Sequence, residues 1–387
     1  MAFTSVQTNN ILLKFRQEIY QEYVRENLFS PYMGPEMNSI IQVITDLDNG
    51  GKMGGQQINV PLVARLQAQA IGQGPLVGNE EQIDNYGMRV WVDWARSAVS
   101  IKKAQENMSS IDLFALAKPM LVDWGKELQR DEICDALYGL PSTAAPAGLN
   151  TTNGQRVNGI LFDSATAAQR NTWISDNIDR VLVGNSNNAN YAAGDFATSL
   201  GHVTSAMVVS AAILTRMKRQ AKRANPRIRP YKLKDNGTEW FVVFMGQEQF
   251  RDAQNDSTIM TANQNSRARE EQGYMRNPIF VDGDLLWNGM ILREIPELSI
   301  RAPVTYQTIG SGGIPVLPMF LCGQQAMAWC WGEMPEATFR KEDDYQFIRG
   351  AGTEMCYGIS KTFKQTLQGN NREWGILTAF LAAVGDA

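Results

Sequence analysis

Two runs near the start of the chain constrain its fold more than any other feature: GGQQINVPLVARLQAQA and, after a Gly-rich and acidic interval, YGMRVWVDWARSAVSI. In the second run Met88, Val90, Val92 and Trp94 alternate with Arg89, Trp91 and Asp93, the period-two pattern of a strand. The pair reads as two long strands of about 15 residues each, joined by a tip around Asn79-Glu80-Glu81. A strand of that length spans ~50 Å at ~3.3 Å per residue, whereas a compact globule of this size has a radius of gyration of ~21 Å. The hairpin is therefore expected to project beyond its own domain. An isolated two-stranded ribbon is marginal in water, so a projecting one needs a partner surface to lie on. The competing expectation is a hairpin bent back onto the chain's own core.

The rest of the chain mixes helix and sheet signals. ILLKFRQEIYQEYVRENL, residues 11–28, spaces Leu12, Phe15, Ile19, Tyr23 and Leu28 as a short amphipathic arm. Ser109-Ser110 caps the longest predicted helix, which runs to Leu140 with Leu113, Ala117, Leu121, Trp124 and Leu128 on its stripe. Pro119 either kinks that helix or opens a second one. A further helix is predicted between Thr198 and Asn225, with Leu200, Val203, Met207, Ala211 and Leu214 on one side. TEWFVVFM, Thr238–Met245, reads as a buried strand followed by the exposed helix QEQFRDAQND. Strands are expected at Asn277–Val281, Met290–Ile295, Met319–Cys322, Ala326–Trp331, Glu354–Lys361 and Trp374–Leu381. One long helix with long non-local sheets is α+β, not a series of βαβ units.

Composition narrows the function classes. The 387 residues suffice for two or three domains with ample core, and 44% hydrophobic residues exclude disorder as the dominant state. No apolar run reaches the ~18 residues of a membrane span. MAFTSVQTNN has no signal-peptide pattern, so a reducing cytoplasm and free thiols are expected. Cys134, Cys322, Cys330 and Cys356 show no C-x-x-C spacing and the single His202 has no partner nearby in sequence, which speaks against zinc. Net charge is only −4, but nine of the 36 Lys and Arg lie in RMKRQAKRANPRIRPYKLK with no acid among them, leaving 27 bases against 40 acids elsewhere. Arg216, Lys218, Arg219, Lys222, Arg223, Arg227 and Arg229 read either as a solvated helix end and loop or as a contact for phosphate or an acidic partner.

Catalytic patterns are absent. There is no G-x-S-x-G and no phosphate-binding G-x-x-x-x-G-K sequence, and His202, at the start of a predicted helix, reads as a satisfied polar residue. Glu80-Glu81 and Glu342-Asp343-Asp344 read as solvated charge. Trp329-Cys330-Trp331 puts two indoles on one face of a strand, a packing pattern. DGDLLWNG, Asp282–Gly289, has the look of a calcium loop, yet its fifth, sixth and twelfth positions are Leu286, Trp287 and Arg293. It reads instead as strand, tight Asn-Gly turn, strand. No catalytic, metal or cofactor site is expected, and weight shifts to an assembly function.

The order of arm, long hairpin, long helix and mixed domain resembles the major capsid proteins of tailed bacteriophages, the HK97-type fold, and more narrowly those of N4-like phages and related prophages. The resemblance is carried by GGQQINVPLVARLQAQAIGQGPLVGNEEQIDNYGMRVWVDWARSAVSI, by RNPIFVDGDLLWNGMILREIPEL, and by MFLCGQQAMAWCWGE with KTFKQTL and WGILTAFLAA. It implies an L-shaped subunit with an N-terminal arm (1–48), an extended loop (49–102), a peripheral domain with a spine helix (103–197), a mainly axial domain (198–320) and C-terminal strands returning to the peripheral domain (321–387). It implies a virion protein of pentamers and hexamers, with Asn79, Glu80, Glu81, Arg89, Trp91 and Asp93 of the extended loop between subunits. A separate scaffolding protein, a portal, decoration proteins, non-specific contact of the basic strip with double-stranded DNA, no membrane and assembly in the host cytoplasm complete the expectation. An encapsulin-like compartment shell and a soluble hydrolase with a carboxylate site are the alternatives.

Overall fold

The apolar runs of the sequence become sheet interiors, and the path between them sets every surface discussed below. A computed structural model of the chain describes residues 27–47, 55–63, 70–73, 77, 80, 85–108, 113–232, 239–270, 284–340, 347–366 and 369–385. The chain begins with β1 (Met33–Gly34), β2 (Ile41–Ile44), β3 (Gln57–Val63), β4 (Asn85–Trp91) and β5 (Asp93–Lys102), then α1 (Lys103–Met108) and α2 (Leu113–Tyr138). α3 (Ala167–Asp176), β6 (Val181–Val183), α4 (Asn187–Asn190), α5 (Phe196–Gly201) and α6 (Ala211–Arg223) follow. Next come β7 (Tyr231–Lys232), β8 (Glu239–Met245), α7 (Gln247–Asn255), α8 (Ser257–Glu270), β9 (Leu285–Trp287), β10 (Met290–Glu294) and α9 (Pro296–Ile300). The last strands are β11 (Val316–Cys322), β12 (Met327–Phe339), β13 (Ile348–Lys361), β14 (Phe363–Gln365), β15 (Asn371–Glu373) and β16 (Ile376–Ala382).

One compact unit includes Arg96–Leu128 and Pro335–Glu354; the other consists of Leu28–Ala95, Gln129–Met334 and Met355–Ala387. The larger unit holds a mixed sheet of order β6-β16-β11-β8-β10-β9, with β7 on β8. Its two faces bury different chemistry. On one, Phe241, Val243, Met245, Met319 and Leu321 pack under Ile213, Leu214 and Met217 of α6. On the other, Phe244 meets the rings of Phe29 and Tyr32 at 5.1 and 5.3 Å, and Phe380 meets Trp173, Phe196 and Tyr306. Cover on both faces is why TEWFVVFM and WGILTAFLAA are continuous apolar runs without alternation.

In the smaller unit, Arg96 of β5 pairs with Glu354 of β13 at 3.1 Å. The Lys103 N–H donates to the Phe347 carbonyl at 2.9 Å and the Arg340 N–H to the Gly350 carbonyl at 3.0 Å. An added Cβ at Gly352 meets the Ser97 carbonyl at 3.2 Å and the Ala98 methyl at 3.3 Å, so a side chain there crowds the neighbouring strand. Met108, Met120, Val122, Phe339 and Phe347 are all exposed on this unit.

Two sequence expectations change and a third is narrowed. Among the described residues the hairpin is paired from Gln57↔Trp91 to Val63↔Asn85, and its second run is two strands, β4 and β5, not one of about 15 residues. The alternation fails at Val92-Asp93, where both neighbours are buried. The Asn158 side chain takes both the N–H and the C=O of Trp91 at 2.8 Å, and Asp93 accepts the N–H of Trp94 at 2.8 Å and of Asn150 at 3.1 Å. Held there, the strand leaves β3 and continues as β5 beside β13. The paired part lies on the chain's own core: Ile58, Leu62, Met88, Val90 and Val92 join Ala328, Cys330, Cys356 and Phe363. Second, the helix expected over Thr198–Asn225 is two helices, α5 and α6, with residues 202–210 between them. Val203 and Val209 are drawn into the core, and the first N–H of α6, on Ala211, is taken by the Asp256 carboxylate at 2.8 Å. Third, of the two readings of Pro119, the opening of a second helix is excluded: Pro119 lies inside α2, one 26-residue helix, ~39 Å at 1.5 Å per residue. Ser109-Ser110, the expected strand Asn277–Val281 and the arm over 11–26 lie outside the described residues.

Candidate assembly surfaces and the basic cleft

Several buried ionisable groups among the described residues are tied to one another, and this decides what chemistry they are free to do. Lys361 donates to Glu373 at 3.0 Å, and the same Glu373 oxygen accepts the Trp173 indole N–H at 3.0 Å. Arg156 clasps Glu132 at 2.6 and 2.7 Å; burial pushes the Glu132 carboxyl above its ordinary range, against the pull of Arg156. Burial also pushes the Cys330 thiol up to about 12 and the Cys356 thiol up to about 11, and all four thiols are buried. These are poor nucleophiles at neutral pH. His202 caps the C-terminal end of α5, not the start of a helix, and its Nδ1 lies 2.9 Å from the Asn190 carbonyl. Among the described residues no group of three or more His, Cys, Asp or Glu is arranged to hold a metal ion.

The segment DGDLLWNG closes as strand, turn, strand. Asn288 and Gly289 have φ of 47° and 69°, and Trp287 pairs directly with Met290, which defines a two-residue hairpin of the Asn-Gly kind. The Trp287 indole donates to Thr215 Oγ1 at 3.1 Å and packs on the α6 side of the core. Arg293, at the twelfth position, pairs with Asp284, at the third, at 3.1 Å with both side chains buried. One carboxylate that a calcium loop needs is thus neutralised by the residue standing where the chelating glutamate belongs. Asp282 lies outside the described residues. Trp329 and Trp331 pack as expected, 5.5 Å apart, with Tyr357 stacked on Trp329 at 4.6 Å.

The seven candidate cations divide into two groups. Arg216 and Lys218 are half-buried and already engaged, Arg216 with the Asn185 carbonyl and Lys218 with the Asn288 carbonyl. Burial, with Lys222 nearby, lowers the Lys218 pKa. Arg219, Lys222, Arg223, Arg227 and Arg229 are exposed, and none of them forms an ion pair with a described carboxylate. Beyond α6 the chain runs out-in-out, Arg227 exposed, Ile228 buried, Arg229 exposed. The loop is held from below. The fully buried Arg180 donates to the Pro226 carbonyl at 3.2 Å, Asp179 accepts the Asn225 N–H at 2.8 Å, and Gln324 N–H donates to the Arg229 carbonyl at 2.8 Å.

This pinned loop forms one wall of a cleft of about 490 Å³ with Lys222, Phe241, Lys364 and Trp374. Lys364 sits 3.9 Å over the Tyr86 ring. Lys364 and Trp374 escape sequence reasoning because they lie more than 130 residues beyond the strip, brought back by β14 and by the stretch between β15 and β16. Their only sequence signal is their place in and beside the segments that carry the family resemblance.

The extended-loop candidates also divide. Arg89 is exposed on β4, whereas Asp93 is only 4% exposed and serves the subunit's own backbone, as described above. Trp91, half-buried, is held through its backbone by Asn158. Glu80 is exposed, as are Ile71 and the 84%-exposed Val77. Asn79 and Glu81 lie outside the described residues.

Comparison with known proteins agrees with this reading. Residues 3–380 match the phage capsid protein family. The capsid asymmetric unit of cyanophage Pam1 is 33% identical, with 100% of each chain covered and a TM-score of 0.84. The capsid of Ralstonia phage GP4 shares 18% identity over 100% of each chain at a TM-score of 0.71, and the head of Helicobacter pylori bacteriophage KHP40 shares 11% over 98% of this chain and 99% of that one at 0.62. No curated protein matches the chain. Neither a cargo compartment nor a hydrolase is favoured. With its α+β fold of the HK97 type, the chain belongs to the phage capsid protein family and is a structural coat protein, not an enzyme.

Proposed function

We propose that the chain is the repeating subunit of an icosahedral phage head, arranged as pentamers and hexamers around double-stranded DNA. The observation that carries this reading is the interval between Val63 and Asn85, where Ile71 and Val77 stand exposed beyond a hairpin whose base packs one face, Ile58, Leu62, Met88 and Val90, on the subunit's own core. Apolar side chains held in water at the far end of an ordered ribbon are stable when laid on a neighbour. A head-to-tail contact of that kind closes into rings. Rings of five and of six from one sequence need a joint that tolerates small rotations, which the glycines at 50–55 and 72–78 supply. Assembly would take place in the bacterial cytoplasm with a separate scaffolding protein, a portal and, on the finished head, decoration proteins.

The test is to express the chain with its scaffolding partner and examine the product by electron microscopy. Closed shells are expected from the wild type. Removing residues 70–80 should leave folded subunits that build none. Normal shells from that deletion would overturn the role given to the loop.

A further inference from the structure

The cleft beside the basic strip offers more than cations. Its rim carries four cations, Lys222, Arg227, Arg229 and Lys364, against one carboxylate, Glu239, and its apolar lining is the half-buried Trp374 and the exposed Val63 at the end of β3 over the buried Ile228 and Phe241. Double-stranded DNA meets proteins through phosphates and sugars and keeps its apolar faces stacked inside, so it would satisfy the rim and leave this floor wet. A peptide with carboxylates beside an aromatic side chain satisfies both. About 490 Å³ is room for a few side chains.

The same sequence contains such a peptide. Glu342-Asp343-Asp344 is followed by Tyr345 and Phe347, three carboxylates and then two aromatics two positions apart. Phe347 is held through its carbonyl by the Lys103 N–H at 2.9 Å, while its side chain remains 43% exposed. The acidic run Asn79–Asp84 has the aliphatic Val77 and Ile83 and a single aromatic, Tyr86, whose ring already lies under Lys364 of its own chain. We infer that the cleft at Lys222, Arg227, Arg229 and Lys364 receives the Glu342–Phe347 segment of a second copy of this chain. Cleft and segment are different patches of one sequence, so the contact is head-to-tail. The proposal rests on the shell-building reading only for the presence of neighbouring copies.

Two experiments decide it. Asp343→Cys and Arg229→Cys are prepared as separate full-length chains, mixed under assembly conditions and mildly oxidised; the four native thiols are buried, so background is low. A covalent dimer about tenfold above either variant alone is expected, and because the thiols start on different chains it reports only contact between copies. A dimer no stronger than that from Val304→Cys paired with Arg229→Cys, or one that forms with Glu81→Cys instead, overturns the proposal. Second, R227E/R229E should cut shell yield about tenfold or more, and adding E342K/D343K/D344K should restore most of it. Failure of that rescue, or normal shells that lack only DNA, overturns the proposal, the second result placing nucleic acid at the rim. If the wild type builds no shells, the shell-building reading fails, and the cross-link in mixed soluble chains still decides the cleft.

Discussion

All seven residues of β11 and all seven of β16 are buried, while β5 buries none beyond Ala95 and β12 buries only Met327–Cys330 of its 13. β12 starts as apolar as β11 and β16, Met-Ala-Trp-Cys-Trp, and differs in what covers it farther on. α6 and α7 close one face of the large sheet, and the ring cluster of Phe162, Trp173, Phe196 and Tyr306 closes part of the other. The outer half of β12 instead ends in Phe339, 67% exposed, near Met334 at 49%. A chain that folded only for its own stability would gain by burying those side chains, at roughly 25 cal/mol per Å². On the proposed shell-building reading, the difference separates the part of the subunit complete before assembly from the part that neighbours would cover.

The sharpest way to break this comparison is Phe380→Ala. Phe380 is 1% exposed and touches three aromatic rings, so the variant should lose ~3–5 kcal/mol of unfolding free energy. Denaturant unfolding of the purified subunit measures it. Next in size is Lys361→Met, which leaves Glu373, fully buried, without its cation and should cost about 3 kcal/mol. Adding Glu373→Leu should recover much of that loss, because an apolar pair of similar volume removes the stranded charge. No recovery would mean that the Glu373 side chain acts mainly by accepting the Trp173 indole N–H.

What was legible in the sequence follows the same division. TEWFVVFM, the Asn288-Gly289 turn and the Trp329–Trp331 packing are local patterns with one physical solution, and the structure has them. The break between β4 and β5 was not legible, because the polar side chain of Asn158, 67 positions beyond Trp91, decides where β4 stops. Nor was the break between α5 and α6, since helical spacing cannot show that a carboxylate 45 positions on waits to cap Ala211. The cleft was half legible. Its cations form a dense run in sequence, and its apolar floor comes from β8 and from Trp374 near the end of the chain.

That capping carboxylate gives the third and smaller effect. Asp256 accepts from Ala211 at 2.8 Å and from Thr258 at 2.8 Å. Burial opposes its charge, but these backbone N–H groups hold the carboxyl below its ordinary range. Asp256→Ala should cost about 1 kcal/mol at neutral pH, and Asp256→Asn less. A lowered folded pKa contributes stability that is fully present above the unfolded value, about 3.9, and is lost as pH falls through the folded one. The difference between wild type and the Ala variant should therefore shrink below about pH 4. A gap that stays constant down to pH 2 would show that the carboxylate charge has no part in the cap.

Phe339→Ser carries the smallest effect on the subunit and tests the other side of the comparison. A ring that is 67% exposed contributes little to folding, so the unfolding free energy should move by no more than ~0.5 kcal/mol. The same ring buried between copies is worth more, and shell yield under matched conditions should fall severalfold while subunit unfolding is unchanged. The two readouts must be taken together. A subunit destabilised nearly as much as by Phe380→Ala would mean that the chain covers Phe339 itself, and the division between a finished sheet and an unfinished one would fail at its outer end. Unchanged stability with unchanged shells would confine the apolar contacts between neighbours to the Ile71 and Val77 loop, where Val77→Ser is then the variant expected to stop assembly.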